Sequence, residues 1–200
     1  MACSRLSLAL FALTLPFLVA QVAPPPTPRA RVSPHELVSA VVAGSGMTGQ
    51  RLIIVYGRPY SKNPRGTDIR KIWGGLVPWD KVWRMGADEA TLMVTPVTLQ
   101  FGELSVPPGV YSLYMLPSEN GTSKLIINKK VGQWGINGSG DAYPADMNAT
   151  ELGRVDLKKD PLTSQVDQFT IAITPTRGGG GGTLKLVWEN AQYSTEFTAK

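Results

Sequence analysis

The sequence predicts an all-β fold, a single antiparallel β-sandwich of jelly-roll type with about ten strands and two long loops. Two observations predict it. Short runs of β-branched and aromatic residues recur along the chain, and each is bounded by Gly, Pro, Asn or Ser. No segment places apolar residues at helical spacing for three turns, so strands do not alternate with helices as a parallel α/β sheet requires.

The first two predicted strands are joined by the glycine-rich segment 45–50, which is typical of a hairpin. Later strands show apolar residues at alternate positions, so one face should be buried and the other exposed to water. This alternation is clearest in two sets, Phe169, Ile171, Ile173 and Leu184, Leu186, Trp188. The ten predicted strands are residues 33–44, 51–59, 90–96, 97–102, 109–116, 124–130, 153–159, 168–175, 182–189 and 193–199.

Two predicted loops are longer than ordinary hairpin turns, and they span Arg58 to Trp83 and Val131 to Thr150. Loops of this length in compact domains are usually functional or disordered, and the first is too aromatic for disorder. The glycine run at 177–182 is interpreted as a hairpin tip. It lacks the helix and the lysine that follow a phosphate-binding loop.

The N-terminus predicts a signal peptide at residues 1–21, because a basic Arg5 precedes an apolar run that is too short to span a bilayer. Residues 22–32 should form an extended Pro-rich linker, dispensable for stability, and residues 33–200 a single β-sandwich domain. The protein is therefore expected to be exported, periplasmic or extracellular, with no stable membrane insertion after cleavage. Its single cysteine, Cys3, lies in the predicted signal.

Composition argues against several function classes. The net charge of +5 comes from 20 basic and 15 acidic residues that are interspersed, so no nucleic-acid partner is predicted. No cofactor fingerprint or serine nucleophile elbow is present, and no cofactor is predicted. No metal is predicted either. With one histidine a zinc site lacks ligands, and the oxygen-rich set Asp141, Asp146, Asn148, Glu151 does not follow the order of an EF-hand calcium loop. The oligomeric state is left open.

The segment 70–94 concentrates three of the five tryptophans. Pro78 suits the first position of a helical turn and Gly86 its end, which predicts Trp79 and Trp83 on one face. The two indoles then have two interpretations. They plug one end of the sandwich as core, or they form a stacking platform for a sugar ring or another flat ligand.

Charged residues follow the tryptophans within one tight loop. We expect Arg84 to hold Asp88 or Glu89, because a guanidinium binds a carboxylate in bidentate geometry. Such a pair often pins a loop, and a ligand-binding role and general acid–base catalysis are the alternatives. His35 is a base or a metal ligand if the fold brings it near Glu36, Asp88 or Glu89, and otherwise a structural hydrogen-bonding residue at a strand start.

Several motifs together resemble the exported bacterial family called domain of unknown function 2911. The resemblance covers nearly the whole chain after the predicted linker. It implies a secreted, largely β domain with no established activity. The motifs are SPHE at 33–36, YGRP at 56–59, KIWGGLVP at 71–78, KVWRMGADEAT at 81–91, VPPGVYSLYMLP at 106–117, LIINKKVGQWG at 125–135 and LKLVWENAQYSTEF at 184–197.

The sequence therefore favours a non-enzymatic binding or interaction module for an envelope glycan or a small molecule. A hydrolase that uses Glu89 and His35 is the first alternative, and a purely structural envelope protein is the second. No catalytic residue is assigned beyond those two candidates. The predicted ligand-binding residues are Trp73, Trp79, Trp83, Arg84, Asp88 and Glu89.

Overall fold

A computed structural model describes residues 33–44, 48–136 and 142–200 of the chain. The regular secondary structure of these residues is almost entirely β, with a short 3-10 helix at Ala145–Thr150, which confirms the predicted all-β class. The predicted signal peptide and linker, residues 1–32, lie outside the described residues. Within the described ranges, no helix has the length and apolar character needed to cross a membrane.

Nine antiparallel strands are present in the described ranges. They are β1 His35–Ala43, β2 Gln50–Gly57, β3 Thr91–Thr95, β4 Leu99–Phe101, β5 Leu104–Val106, β6 Gly109–Leu116, β7 Ser123–Asn128, β8 Glu151–Pro175 and β9 Gly181–Ala199. Their pairings form one sheet in the order β1-β2-β3-β6-β7-β8-β9-β4-β5. The predicted separation into two sandwich sheets is not confirmed.

The predicted and observed strands differ most at the C-terminal end. The sequence predicts two strands where β8 lies and two more where β9 lies, because Pro161 and a polar segment near Glu189 are typical of turns. The structure places bulges there instead. The register of β8 shifts on both sides of Val166, and Glu189 in β9 has a φ of 56°. A bulge bends a strand without ending its pairing, so each long strand continues through it.

The alternating residues of β8 and β9 form the centre of the core, as predicted. Phe169, Leu186 and Trp188 are each at most 1% exposed. The Trp188 ring stacks on Trp83, with centroids 5.7 Å apart, and meets Trp73 edge-on at 6.3 Å. Stacked and edge-to-face pairs of this kind stabilise beyond the area they bury. The core therefore extends from the sheet into the loop that follows β2.

The sheet curls around this core, so that strands far apart in the sheet order come into contact. Beyond β2, the backbone N–H of Ser61 donates to the carbonyl of Asp167 in β8 at 2.6 Å. At the other end, the N–H of Gly180 donates to the carbonyl of Val42 in β1 at 2.9 Å. This curvature places the start of the β2–β3 loop, residues 58–90, against the bulged part of β8.

Phe169→Ala should lower the free energy of unfolding by about 3–5 kcal/mol, because truncation leaves a cavity among fully packed rings. Phe169 is 0% exposed, and its ring lies 4.9 Å from that of Trp83. Urea denaturation measures the change. Leu37→Ala is the control, since Leu37 is 59% exposed, and its effect should stay within about 0.5 kcal/mol. Equal losses in the two variants would contradict the central position of Phe169.

Candidate functional site

The β2–β3 loop carries all of the predicted site residues except His35. Although the loop is long, isolated β-bridges fix it to the sheet. The N–H of Trp83 donates to the carbonyl of Met115 in β6 at 2.7 Å, and the reverse bond measures 2.8 Å. Further along, Glu89 forms an antiparallel bridge with Trp134. The loop is therefore held between β6 and the segment 131–136.

The predicted helical turn around Trp79 and Trp83 is wrong. Asp80 between them has a φ of 58°, which a right-handed helix excludes, and the residues form turns and a single bridge. Trp79 stacks on Trp73 with centroids 6.2 Å apart and planes 15° apart. Trp83 meets the edge of Trp73 at 6.2 Å. The two indoles thus contact Trp73 instead of standing side by side, and all three are half-buried.

Backbone strain is concentrated between Arg84 and Glu89. Met85 and Asp88 adopt the left-handed region, with φ of 55° and 65°, at a cost on the order of 1–3 kcal/mol each. Hydrogen bonds hold this shape. The hydroxyl of Thr91 donates to the carbonyl of Met85 at 2.7 Å, and the N–H of Gly135 donates to the carbonyl of Asp88 at 2.9 Å. Strain of this kind persists only where the surroundings fix it, and it is enriched at binding and catalytic sites.

Arg84 does not hold Asp88 or Glu89, and that prediction is wrong. Its Nε donates to the carbonyl of Gly86 at 3.2 Å, and no ion pair joins it to a carboxylate among the described residues. Burial lowers the pKa of the Arg84 guanidinium, while the nearby charge of Asp88 opposes that shift. The tight loop itself, closed by backbone contacts, makes the predicted pinning ion pair unnecessary.

The structure brings together the two catalytic candidates, which lie far apart in sequence. His35 Nε2 lies 2.9 Å from Glu89 Oε2 and 3.8 Å from Asp88 Oδ2. The β1–β2 register explains the contact. His35 pairs with Gly57, and the carbonyl of Gly57 accepts a hydrogen bond from Ala87 at 3.2 Å. The pair is open to water, since the His35 and Glu89 side chains are 46% and 57% exposed.

The pKa of Glu89 lies below the usual value of a glutamate. The main cause is a hydrogen bond from its own backbone N–H, and the hydrogen bond with His35 is the second. Because its pKa is lowered, ionised Glu89 stabilises the folded state at pH values above the ordinary pKa of a glutamate. That contribution is lost as the pH falls through the lowered value.

A cleft of about 890 Å³ opens between the β2–β3 loop and the β7–β8 loop. Trp83, Arg84 and Asp88 line it, whereas the other predicted ligand residues, Trp73, Trp79 and Glu89, do not. The His35–Glu89 pair lies beside the cleft, next to Asp88. Lining residues that the sequence did not single out include Tyr60, Lys62, Arg70, Lys81, Tyr143 and Trp188.

Two of the missed residues carry polar groups with specific surroundings. The Arg70 guanidinium donates to the carbonyl of Tyr60, but its buried Nε has no hydrogen-bond partner among the described residues. Burial lowers the pKa of Arg70. Tyr143 donates its hydroxyl proton to Glu151 at 2.8 Å, and burial raises its pKa. Arg70 is the first residue of the tryptophan-rich segment 70–94, and Tyr143 lies in the second long loop. These positions were the only indications in the sequence that the two residues belong to a site.

No group of three or more His, Cys, Asp and Glu side chains converges as metal ligands would in the part of the chain that the structure describes. Two members of the oxygen-rich set have other partners. Asp146 pairs with Lys130 at 2.7 Å, and Glu151 pairs with Arg154 at 2.7 Å. A third member, Asp141, lies outside the described residues.

Comparison with known protein families shows which family this chain belongs to. Residues 33–197 match the family described as protein of unknown function, DUF2911. The chain belongs to this family. The match confirms the resemblance seen in the sequence motifs. No curated protein and no solved structure matches the chain. The DUF2911 description names no activity, so a function for this protein has to be argued from its cleft.

In this DUF2911 protein, His35→Ala should raise the pKa of Glu89 toward the ordinary glutamate value without reaching it. The backbone hydrogen bond, which is the larger cause of the lowered pKa, remains in the variant. An NMR pH titration of the Glu89 carboxyl carbon measures the change. Ser39→Ala is the control, because Ser39 lies four residues further along β1 on the same face as His35, and it should leave the Glu89 pKa unchanged. An unchanged Glu89 pKa in His35→Ala would show that the pair does not form in solution.

Gly135→Ala should destabilise the fold by about 1–3 kcal/mol, because the added methyl overpacks a filled space. A Cβ at Gly135 would lie 1.8 Å from Arg84 Cδ and 2.6 Å from the Asp88 carbonyl oxygen. Urea denaturation measures the loss, and the Arg84 Nε signal in an NMR spectrum should move with it. Gly109→Ala is the control, since its nearest contact is the Tyr111 hydroxyl at 3.2 Å. Equal stability of both variants would contradict the packing of Gly135 on Arg84.

Proposed function

We propose that this protein is an exported, non-enzymatic binding module whose cleft holds a small organic ligand. The observation that carries the proposal is the convergence of Trp83, Arg84 and Asp88 on a cleft of about 890 Å³. A concave site of this size, with aromatic surface and a few charged groups, is typical of small-molecule binding. Export rests on the apolar N-terminal run behind Arg5.

The strained loop supports a binding role. Met85 and Asp88 retain an unfavourable backbone conformation, and the hydrogen bonds from Thr91 and Gly135 keep it in place. The side chains of Arg84 and Asp88 therefore start from a fixed backbone. Less conformational entropy is lost on binding when the polar groups of a site are held in advance.

Aromatic residues supply the apolar part of the cleft. Trp83 is half-buried and rests on the buried Trp188, so it presents a supported indole surface to a ligand. A sugar ring of an envelope glycan is one ligand that such a surface suits. Trp73 and Trp79 pack on each other outside the cleft lining, which limits the glycan platform to Trp83.

A hydrolase is the second candidate, and the contact between His35 and Glu89 favours it. A carboxylate 2.9 Å from an imidazole orients the ring and suits it to act as a general base. Both side chains, however, are open to water and neither lines the cleft. A purely structural role fits less well, because the tryptophans of the loop remain partly exposed.

Ligand binding should shift the indole NMR signals of Trp83 and Trp188, which line the cleft, while the signal of Trp134 stays unchanged. Trp134 is the internal control, since it is 58% exposed and outside the cleft lining. The measurement is a screen of the purified protein against sugars and small metabolites by two-dimensional NMR. Shifts confined to Trp134, or no shift with any compound, would contradict the proposal.

A further inference from the structure

The charges that line the cleft are unbalanced. Four cationic side chains face one carboxylate, that of Asp88, and the cations are Lys62, Arg70, Lys81 and Arg84. None of the four forms an ion pair within the described residues. In the same part of the chain, Arg58, Lys124, Lys130, Arg154 and Lys158 are each paired with an acid. The cleft thus differs from these five sites in that all four of its cations lack an acidic partner among the described residues.

Arg84 has the geometry of an anion receptor. Its Nε is engaged by the Gly86 carbonyl, and no described residue accepts a hydrogen bond from its two terminal nitrogens. The stem is confined because Gly135 leaves no space beside Cδ. A planar guanidinium held in this way can donate two parallel hydrogen bonds to one oxyanion. A partly buried cation without a partner is unfavourable, and a bound anion removes that cost.

Arg70 adds a second cation in the same cleft. One of its terminal nitrogens donates to the Tyr60 carbonyl, which orients the guanidinium. Its Nε is buried and has no hydrogen-bond partner among the described residues. Two half-buried guanidinium groups in one concave site raise the local positive potential, which attracts an anionic ligand.

Asp88 offsets part of this positive charge. Its carboxylate lines the same cleft, and its charge opposes the lowering of the Arg84 pKa. The four cations still outnumber it, so the cleft attracts a carboxylate, and a phosphate monoester with its larger charge at least as strongly. The half-buried indole of Trp83, which rests on the buried Trp188, is suited to the uncharged remainder of the ligand.

We infer that the cleft ligand is an organic anion, whose carboxylate or phosphate group pairs with Arg84 and whose apolar or aromatic body lies against Trp83. This inference rests on the proposed binding function. It narrows the ligand from small organic molecules in general to organic oxyanions. Arg70 strengthens the pairing through its charge.

Three probes of similar shape test the charge requirement in the full protein, namely benzoate, its neutral counterpart benzamide, and phenyl phosphate. Affinities come from NMR titrations that follow the Trp83 indole signal. Benzoate should bind at least about tenfold more tightly than benzamide, since a charge-assisted pair adds that much affinity. Phenyl phosphate carries the larger negative charge and should bind at least as tightly as benzoate.

Variants of Arg84 test the named residue. Arg84→Gln should weaken benzoate binding at least about tenfold and leave benzamide binding unchanged. Arg84→Lys keeps the charge but loses the planar guanidinium, so its affinity for benzoate should lie between that of the wild-type protein and that of Arg84→Gln. Arg51→Gln is the control, because Arg51 is an exposed cation of β2 outside the cleft lining. If Arg84→Gln fails to fold, Arg84→Lys and the comparison of the three probes on the wild-type protein still test the inference.

The possible failures are distinguishable. Equal binding of benzoate and benzamide at Trp83 would overturn the anion inference and leave the binding function standing. Binding of phenyl phosphate more weakly than benzamide, or unchanged benzoate binding in Arg84→Gln, would also overturn it. If none of the three probes shifts the Trp83 signal, the inference is wrong. The proposed function itself fails only when no compound of the broader screen binds in the cleft.

Discussion

The contact of Trp73 and Trp83 with the buried Trp188 holds the long β2–β3 loop on the sheet. Trp188 is 0% exposed, and both loop tryptophans lie against it. The polar edge of Trp73 is satisfied as well, since its Nε1 donates to the Trp188 carbonyl at 3.3 Å. The isolated β-bridges between the loop and the sheet act together with these ring contacts. Burial of the aromatic rings supplies the stabilisation that orients the loop, and with it one wall of the cleft.

The strained turn that presents Arg84 depends on this anchoring. Gly57, Thr91 and Gly135 surround the turn closely enough that Met85 and Asp88 stay in the left-handed region. Packing around the turn thus offsets the cost of the unfavourable backbone at Met85 and Asp88. The result is a guanidinium without an acidic partner in the described part of the chain, in a cleft where cations outnumber carboxylates. That charge pattern is the basis of the inference that the ligand is an anion.

The pairing of β1 with β2 decides what lies beside the cleft. His35 reaches Glu89 only because it is opposite Gly57 in the register, next to the turn that carries Ala87 and Asp88. A shift of one residue would turn His35 to the other face of the sheet. The same register therefore fixes a half-exposed imidazole next to two carboxylates, which is why the hydrolase alternative keeps a structural basis.

The sequence by itself determined the all-β class and the buried faces of β8 and β9. Alternation specifies these features because it reports directly which side chains are buried. It could not distinguish a bulge from a turn at Pro161 and Glu189, since both favour the same local residues. It also predicted a helix at Trp79, where packing on Trp73 overrides local spacing.

Only the tertiary structure decided the partners of the site residues. Arg84 and Asp88 lie four residues apart in sequence, yet they do not form the expected ion pair, while His35 and Glu89 meet across the β1–β2 pairing. Arg70 and Tyr143 join the cleft from two different loops. Distances between side chains that lie far apart in the chain depend on strand register and loop packing. No local sequence pattern encodes them.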